Sequence, residues 1–396
     1  MSSFGPLEGI KVVDFSRQLA GPYCAMMLGD MGADVIKIEE PAQGDESRTY
    51  LPMWGDESSY FISANRNKRS LTLNLKSKEG LAIARKLAED ADILIENFRT
   101  GTMKKFGLDF ETLSKINPRL VYMTISGFGR TGPLKDKPGY DLLVQAYGGI
   151  MGLTGNEGDE PVRVGASVAD IACGMFAYSS VLTALYNREK TGKGQLVEST
   201  LLEGQVAWLT YHATAYFATG ELPKRMGSGH FSIVPYQAFE SSNGWIVVGT
   251  PNNRLFGRLC QALGQPELAG DPRFESNETR VAHREALVGI LNKAFKQKTT
   301  DEWVEIIESY SIPCSPINTV DRIVTDPQVL ARNNIVTLMH STLGEIKVTG
   351  NPLKLTDTPG TMRLAPPLLG EHSTDVLVEL GYSRQQIVAL KEKGVV

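Results

Sequence analysis

The chain has 396 residues, more than a single hydrophobic core usually supports, so two domains or one domain with a large insertion are expected. Its 41 basic and 45 acidic residues leave a net charge of -4, without the basic excess that nucleic-acid binding requires. Apolar residues make up 42% and no run of 18 apolar residues occurs, which indicates a water-soluble globular protein.

The four cysteines and five histidines show no spacing typical of a metal site or a disulfide framework. Reduced thiols and a reaction without a metal ion are therefore expected. The first residues, MSSFGPLEGIKVV, contain neither an apolar stretch nor an Arg-rich amphipathic stretch. A cytoplasmic location is the natural expectation.

The first half of the chain alternates short β-rich runs with helical patterns, which predicts βαβ units and a mostly parallel sheet covered by helices. Gly-rich turns follow the last two of these strands. The predicted elements are a strand over Ile10–Asp14, a helix from about Gly21, strands over Asp34–Ile38 and Ser70–Leu75, a helix over Ser77–Asp90, and strands over Asp92–Ile95 and Leu120–Ile125.

The second half predicts two long helices and then a smaller α+β region. The apolar stretches Ser167–Tyr186 and Leu201–Thr219 have helical composition. After Pro223, Asn243-Gly244 stands between β-rich flanks and predicts a hairpin. We expect a large domain over 1–222, a small α+β domain over 223–325, and a C-terminal segment over 326–396 that returns to the large domain.

Two apolar runs, GIKVVDF and GADVIKIEEP, look like dinucleotide-binding strands, and the second ends in Glu39 and Glu40, where a ribose-binding acid would stand. The intervening SRQLAGPYCAMML offers only Gly21 in place of the G-x-G-x-x-G fingerprint. An NAD enzyme is therefore a poor fit. The helix that begins near Gly21 still suits another anionic ligand, such as CoA.

Basic residues cluster in NRNKRSLTLNLKSKEG and in NFRTGTMKKFG. In the second cluster Phe98 offers an aromatic face beside Asn97 and Lys105. These clusters suit a phosphate-bearing ligand, and equally suit ordinary solvated surface charge.

Asp170 stands at the start of an apolar helix in GASVADIACGM, directly after a Gly-containing loop. In one interpretation Ser167 is the N-cap and Asp170 completes a capping-box-like start. In the other, the carboxylate is a nucleophile that attacks a thioester carbonyl, with nearby N–H groups stabilising the oxyanion. The mixed anhydride so formed is reactive enough for CoA thiolate to attack it, without ATP or metal.

Nine segments of the sequence, in this order, resemble the family III CoA-transferases, also called the CaiB/BaiF family, nearly end to end. They are VVDFSRQLAGP, GADVIKIEEP, NKRSLTLNLKSKEG, ENFRTGTMKKFGL, GYDLLVQAYGGIMGLTG, GASVADIACGM, KTGKGQLVESTLLE, IPCSPINTV and LGEHSTDVL.

The resemblance implies that Asp170 is the catalytic nucleophile, and that Tyr140 and Asp141 line the active site. Glu40 stands where some members carry an arginine near the adenine end of CoA. The residues that the resemblance places around CoA are Gln18, Leu19, Ala20, Lys76, Asn97, Phe98, Lys105 and Lys137.

The family's fold, again by resemblance, is a large Rossmann-like domain and a small domain in an interlocked homodimer. The implied activity moves CoA from an acyl-CoA to a free carboxylic acid through an aspartyl anhydride and an aspartyl-CoA thioester. CoA is then a substrate rather than a permanently bound cofactor, and neither nucleic acid nor membrane is an expected partner.

Two alternatives stay open. An α-methylacyl-CoA racemase shares the fold and the aspartate, but its motif reads Gly-His-Asp, whereas Gly139-Tyr140-Asp141 stands here. A non-catalytic CoA-binding protein would keep the basic contacts without depending on Asp170.

The segment MGSGHFSIVPYQ is interpreted either as a mobile lid hinged at Gly227 and Gly229, with His230 lining the site, or as an interdomain linker. Its second half resembles the branch that accepts dicarboxylates such as succinate or glutarate. A distal carboxylate needs a cation. The candidates are Arg17, Arg66, Arg163 and His230.

Overall fold

The structure is a computed structural model that describes residues 5–396. Over the described residues, its internal contacts separate two compact units. Within this range the first unit comprises residues 5–150, Arg163–Thr214 and Pro327–Val396, and the second comprises Met151–Val162 and Ala215–Asp326. The boundaries predicted for the three domain segments stay a prediction.

The strands are short and most of those in the first half are buried. In chain order they are β1 (Lys11–Asp14), β2 (Asp34–Glu39), β3 (Met53–Trp54), β4 (Glu57–Ser58), β5 (Lys68–Thr72), β6 (Ile93–Glu96), β7 (Val121–Ser126), β8 (Leu196–Thr200), β9 (Tyr236–Glu240), β10 (Trp245–Gly249), β11 (Cys314–Pro316), β12 (Ile335–His340) and β13 (Gly344–Thr349).

The α-helices range from single turns to one helix of 24 residues. In chain order they are α1 (Ala20–Asp30), α2 (Ser59–Ala64), α3 (Lys78–Glu89), α4 (Thr102–Phe106), α5 (Phe110–Leu113), α6 (Asp141–Tyr147), α7 (Ile150–Leu153), α8 (Val168–Thr191), α9 (Leu201–Trp208), α10 (Thr210–Thr219), α11 (Asn253–Ala262), α12 (Asn277–Ala282), α13 (Arg284–Phe295), α14 (Thr300–Ser309), α15 (Val320–Ile323), α16 (Pro327–Ala331), α17 (Ser373–Glu379) and α18 (Arg384–Glu392).

The first unit is built on a six-stranded sheet in the order β5-β2-β1-β6-β7-β8, with every pair parallel. Numbered along the chain within this sheet, the order is 3-2-1-4-5-6, the doubly wound arrangement. The strand order reverses between β1 and β6. The predicted parallel sheet is confirmed, although β5 begins two residues before the predicted Ser70 and β8 was not predicted.

Helices cover both faces of this sheet, because neighbouring residues of a buried strand point to opposite sides. Val12 belongs to a buried cluster with α1 and α8, and Val13 to a second cluster with α3, α17 and α18. Helix α3 begins where the sequence predicted, since the Ser77 side chain accepts from the Gly80 N–H.

Helix α8 confirms the predicted long helix but continues past Tyr186 to Thr191, where Gly192 ends it with a left-handed φ of 72°. Within residues 5–396, α8 alone is long and apolar enough to span a membrane by length and composition. Half of its most apolar window is buried inside the protein. It packs against α1, α9 and β8 as a core helix of the first unit.

The single helix predicted over Leu201–Thr219 is wrong. The structure has two helices, α9 and α10, separated at Leu209. Thr210 has a positive φ of 36°, outside the helical region, so a continuous hydrogen-bond ladder is interrupted there. Nothing in the local composition marks this break.

In the second unit, β9 and β10 form the antiparallel hairpin that Asn243-Gly244 predicted, and β11 pairs with β10 as a third strand. Phe239, Phe295 and Trp303 lie in the buried cluster that joins this sheet to its helices. The rings of Phe239 and Phe295 stack with centroids 4.7 Å apart. The unit is therefore an α+β structure with its own core.

Candidate active site

The carboxyl ends of β1 and β6 meet at the point where the strand order reverses, which is where doubly wound sheets bind ligands. Here the Arg17 N–H donates to the Asn97 side-chain oxygen at 3.0 Å. The Asn97 side-chain N–H donates back to the Arg17 carbonyl at 2.8 Å. This reciprocal pair joins the segment that begins at Gln18 to the segment that holds Phe98, both predicted to contact CoA.

A buried ion pair shapes the turn at Gln18, whose φ is 67°. The Gln18 N–H donates to both carboxylate oxygens of Asp45, at 3.1 and 3.2 Å. The Lys37 ammonium donates to Asp45 at 2.9 Å and to the Ser16 carbonyl at 2.8 Å. Burial would raise the pKa of Asp45, but the Lys37 charge and these hydrogen bonds lower it to about 2. The turn is therefore held by a charge pair that stays ionised at neutral pH.

Three further predicted CoA contacts are lysines, each on a segment that follows a strand of the sheet. Lys76 lies between β5 and α3, Lys105 lies in α4 after β6, and Lys137 follows β7. Among the described residues, none of the three ammonium groups forms an ion pair within 4.0 Å, which leaves them available to an anionic ligand. The Lys137 ammonium lies 5.7 Å from the Phe128 ring centroid.

The acids at the end of β2 have local partners. Glu39 is buried, and Arg48 donates two hydrogen bonds of 2.8 Å to it. Glu40 accepts from the N–H groups of Ala42 and Gln43 in the following turn. Neither carboxylate is placed as a free ribose ligand, in agreement with the missing glycine fingerprint.

Asp170 lies in the first turn of α8, but the predicted capping box is wrong. Ser167 precedes the helix and its side chain makes no capping hydrogen bond. Instead Asp141, from α6, accepts from the Ala169 N–H at 2.8 Å and from the Asp170 N–H at 3.4 Å. A carboxylate distant in sequence therefore caps α8 and leaves the Asp170 side chain without a capping role.

The Asp170 carboxyl is held in a poorly solvated and negative environment. Burial, and then the neighbouring Asp141 carboxylate, raise the pKa of Asp170 to about 7. Burial, followed by the charges of Asp170, Tyr50 and Asp141, raises the pKa of Tyr60 to about 12. Tyr60, on α2, is therefore a neutral phenol within the electrostatic reach of both acids. Sequence reasoning did not select Tyr60, because it lies 110 residues from Asp170 along the chain.

Tyr140 and Asp141 were predicted to line the site, and they begin α6. Tyr140 is the N-cap residue of α6 and is 59% exposed. The fully buried Gln145, one turn further on, donates to the second carboxylate oxygen of Asp141 at 2.7 Å. Gln145 is a site residue that sequence reasoning missed, since a buried glutamine and an exposed one look alike in a helical pattern.

The glycines of the predicted lid, and His230, belong to the second unit. Gly227 has a left-handed φ of 58°, and its N–H donates to the Gly155 carbonyl at 2.8 Å. The Gly229 N–H donates to the Met226 carbonyl at 2.8 Å. The His230 ring stacks on Phe231, with centroids 5.0 Å apart. Both interpretations of this segment, as lid and as linker, stay predictions.

Two of the arginines proposed for a distal carboxylate are already engaged. Arg66 is buried and donates to Asp30 at 2.6 Å, so it is a structural residue. The Arg17 guanidinium lies 3.8 Å from Glu46 and 5.1 Å from the Phe98 ring centroid. Arg17 therefore belongs to the edge predicted to bind CoA.

Arg163 is exposed, and within residues 5–396 its guanidinium has no hydrogen bond or ion pair. The next residue, Val164, donates its N–H to the Gln145 side-chain oxygen at 2.9 Å. Since Gln145 also binds Asp141, this contact links the segment that carries Arg163 to the acidic site.

Over the part of the chain that the structure describes, no group of three or more His, Cys, Asp or Glu side chains is placed to hold a metal ion. The two acids at the start of α6 and α8 are accompanied by a glutamine and a tyrosine. The first unit thus combines a doubly wound α/β sheet, an edge with unpaired lysines that is predicted to bind CoA, and a half-buried carboxyl at a helix N-terminus.

Comparison with known proteins assigns this combination to a family. The family model of CoA-transferase family III matches residues 7–373. The chain is 40% identical to the human succinyl-CoA:glutarate CoA-transferase, over the whole of this chain and 91% of the human protein. It is 37% identical to the succinate–glutarate CoA-transferase of Agrobacterium fabrum, over 95% of this chain and 96% of that protein.

A solved structure supports the same family assignment. The crystal structure of a CaiB/BaiF family protein from Brucella suis is 39% identical, covers 96% of this chain and all of that chain, and superposes with a TM-score of 0.87. The chain belongs to CoA-transferase family III, which confirms the resemblance and the enzyme class predicted from the sequence. Its family implies an acyl-CoA and a carboxylate as substrates.

Proposed function

We propose that this enzyme moves CoA from an acyl-CoA to a free carboxylic acid with Asp170 as the covalent nucleophile. The observation that carries the proposal is the half-buried carboxyl of Asp170 on a helix turn that Asp141 caps, beside that second carboxylate rather than beside a cation. With a pKa of about 7, roughly half of this carboxyl is ionised at pH 7. The anion is poorly solvated and more basic than an ordinary aspartate, and nucleophilicity rises with basicity.

The transfer takes place in four steps. An Asp170 oxygen attacks the donor thioester carbonyl. The C–S bond breaks, CoA leaves as a thiolate, and a mixed anhydride of Asp170 and the acyl group remains on the enzyme. The thiolate then attacks the aspartyl carbonyl, which releases the donor acid and gives an aspartyl-CoA thioester. The acceptor carboxylate attacks this thioester and expels the thiolate. The thiolate finally attacks the acceptor's carbonyl in the second anhydride, which releases the new acyl-CoA and restores Asp170.

CoA is proposed to bind as a substrate along the edge where β1 and β6 end. The Arg17–Asn97 hydrogen bonds and the Lys37–Asp45 ion pair support this placement, because they rigidly position the backbone around Gln18. Unpaired lysines on the adjoining segments suit phosphate groups. The proposed contacts are Gln18, Leu19, Ala20, Lys76, Asn97, Phe98, Lys105 and Lys137.

A dicarboxylate acceptor, with succinyl-CoA as donor, is the proposed substrate class. It is supported by relatives named for succinyl-CoA and glutarate at about 40% identity. Arg163 is the candidate of the first unit whose guanidinium is free to pair with a distal carboxylate, whereas Arg66 is bound to Asp30. Transfer of CoA from succinyl-CoA to glutarate or to the monocarboxylate butyrate tests this: a preference for butyrate contradicts it.

We also propose that two chains form the interlocked homodimer of the family, in the cytoplasm. The exposed face of α8 supports an interface, since Met175, Phe176 and Tyr186 are 47%, 42% and 66% exposed. Light scattering measures the mass directly, and a monomer at micromolar concentration would contradict the dimer.

The nucleophile is tested by trapping. With succinyl-CoA and hydroxylamine, the enzyme is expected to acquire a hydroxamate at Asp170, located by peptide mass spectrometry. A racemase or a non-catalytic CoA-binding protein leaves that residue unmodified, and a racemase also exchanges the α-proton of 2-methylacyl-CoA in deuterated water. Absence of the adduct while CoA exchange proceeds would overturn the proposal.

A further inference from the structure

Gln145 is fully buried in α6 and uses both ends of its side-chain amide. The amide nitrogen donates to Asp141 at 2.7 Å and lies 3.5 Å from the Ala166 carbonyl. The amide oxygen accepts from the Val164 N–H at 2.9 Å. One side chain thus binds the segment that leads into α8 and, at the same time, the acid that caps α8.

These contacts fix the geometry of the turn that carries Asp170. Asp141 contacts the Ala169 N–H with one oxygen and Gln145 with the other, so its orientation depends on the Gln145 donor. Since Ser167 makes no side-chain cap, nothing on α8 itself replaces this contact. A rotation of Asp141 would release the first turn of α8 and alter the charge next to Asp170.

We propose that Gln145 is a positioning residue for the transfer reaction: its amide clamps Asp141 across the N-terminus of α8 and so sets both the place and the charge environment of Asp170. The inference rests on the proposed role of Asp170 as nucleophile. It assigns Gln145 no contact with substrate.

Other titratable groups face Asp170 from the elements around it, and they define what the test must separate. Tyr60 lies on α2, and Cys173 lies one turn further along α8. The Asp170 charge raises the pKa of both side chains. Glu203, on α9, acts on Cys173 and accepts a hydrogen bond from Thr200. Burial keeps the pKa of Tyr60 and Cys173 raised to about 12, so both are neutral near pH 7. Asp141 is therefore the charge that a change at Gln145 alters first.

The experiment measures kcat/KM for succinyl-CoA against pH in the full-length enzyme. Asp170 must be ionised to attack, so activity falls as pH falls through its pKa of about 7. Gln145→Glu adds an acid next to Asp141 and is expected to move this acidic limb up by about one pH unit. Asp141→Asn removes a negative charge and is expected to move the limb down. A purely structural role would not shift the limb in opposite directions.

A third variant separates positioning from packing. Gln145→Met keeps the side-chain volume but loses the clamp, and kcat is expected to fall about 10²-fold while KM for acyl-CoA stays unchanged. Gln205→Met is the matched control, because Gln205 is also fully buried on the neighbouring α9 and its amide atoms have no hydrogen-bond partner among residues 5–396. It is expected to keep near wild-type kcat. Thermal unfolding checks that each variant folds.

An unmoved acidic limb in both charge variants, or equal losses in Gln145→Met and Gln205→Met, would overturn the role of Gln145. If Gln145→Glu does not fold, Asp141→Asn and Gln145→Met still test the role of Gln145. Hydroxylamine trapping on the wild-type enzyme is run in parallel. No adduct at Asp170 overturns the nucleophile and this inference together, whereas an adduct with unmoved limbs overturns this inference alone.

Discussion

Buried or half-buried carboxylates lie in two regions of the first unit, and the two regions differ in the partners they supply. Around β1 and β2, Asp14 and Asp45 are fully or almost fully buried, and each pairs with a fully buried lysine: Lys68 at 3.1 Å and Lys37 at 2.9 Å. At the start of α8, Asp170 faces a second carboxylate instead. The pKa of Asp45 is lowered to about 2, whereas that of Asp170 is raised to about 7.

A single cation does not explain the contrast. Glu96 contacts Arg130 and accepts from the Phe98 N–H at 2.9 Å, yet burial raises the pKa of Glu96 to about 7. Asp45 receives donors from a lysine, two backbone N–H groups and a hydroxyl. The Lys37 charge and these donors outweigh the effect of burial on Asp45, whereas burial and the Asp141 charge both raise the pKa of Asp170.

Lys68→Met is expected to give the largest change in stability. The Lys68 ammonium donates to Asp14, to the Asn65 side chain at 2.9 Å and to the Pro22 carbonyl at 2.9 Å. Its loss leaves a buried, unpaired carboxylate, which costs about 3–5 kcal/mol in the free energy of unfolding. Urea denaturation measures this cost, and Asp14→Asn/Lys68→Met should recover part of it. A cost below about 0.5 kcal/mol would contradict the claim that buried lysines stabilise the carboxylates around β1 and β2.

Asp170→Asn is expected to make the protein more stable at pH 8. The pKa of Asp170 is higher in the folded state than its ordinary value of 3.8, so stability is lost as pH rises from about 4 to about 7. The neutral amide avoids this loss, and we expect a gain of roughly 1–3 kcal/mol. The gain should vanish at pH 4, where the wild-type carboxyl is protonated when folded. Equal free energies of unfolding of the two proteins at pH 8 would contradict a raised pKa of Asp170 in the folded state.

Arg119→Ala is expected to give the smallest change in the free energy of unfolding. Its pair with Glu189, at 3.2 Å, is 52% and 66% exposed. Exposed ion pairs of this kind typically contribute about 0.2–1 kcal/mol. Urea denaturation should therefore show almost no change, and a loss as large as that of Lys68→Met would mean that burial is not what separates the regions.

Much of the sheet could be predicted from the sequence, because strand alternation and local caps are short-range features. Ser77 marked the start of α3, and Asn243-Gly244 marked the β9–β10 hairpin. The edge strand β8 was missed because only two of its five residues, LVEST, are apolar. The break at Thr210 is equally invisible, since no Gly or Pro lies between Gln205 and Thr219 to mark it.

The candidate site was predictable only in part. Asp170 was found from its place at the start of an apolar helix and from a family resemblance. The contacts that set its properties join residues far apart: Asp141 reaches Ala169 across 28 positions, and Gln145 reaches Val164 across 19. A local reading assigned the cap to Ser167 because it considers only near neighbours.

The covalent role of Asp170 is tested most directly by the mass of the enzyme during turnover. Wild-type protein mixed with succinyl-CoA and rapidly quenched is expected to gain the mass of CoA less one water, on the peptide that contains Asp170. Asp170→Ala should show neither the adduct nor CoA exchange. Exchange at the wild-type rate in that variant, or an adduct on another residue, would contradict the account.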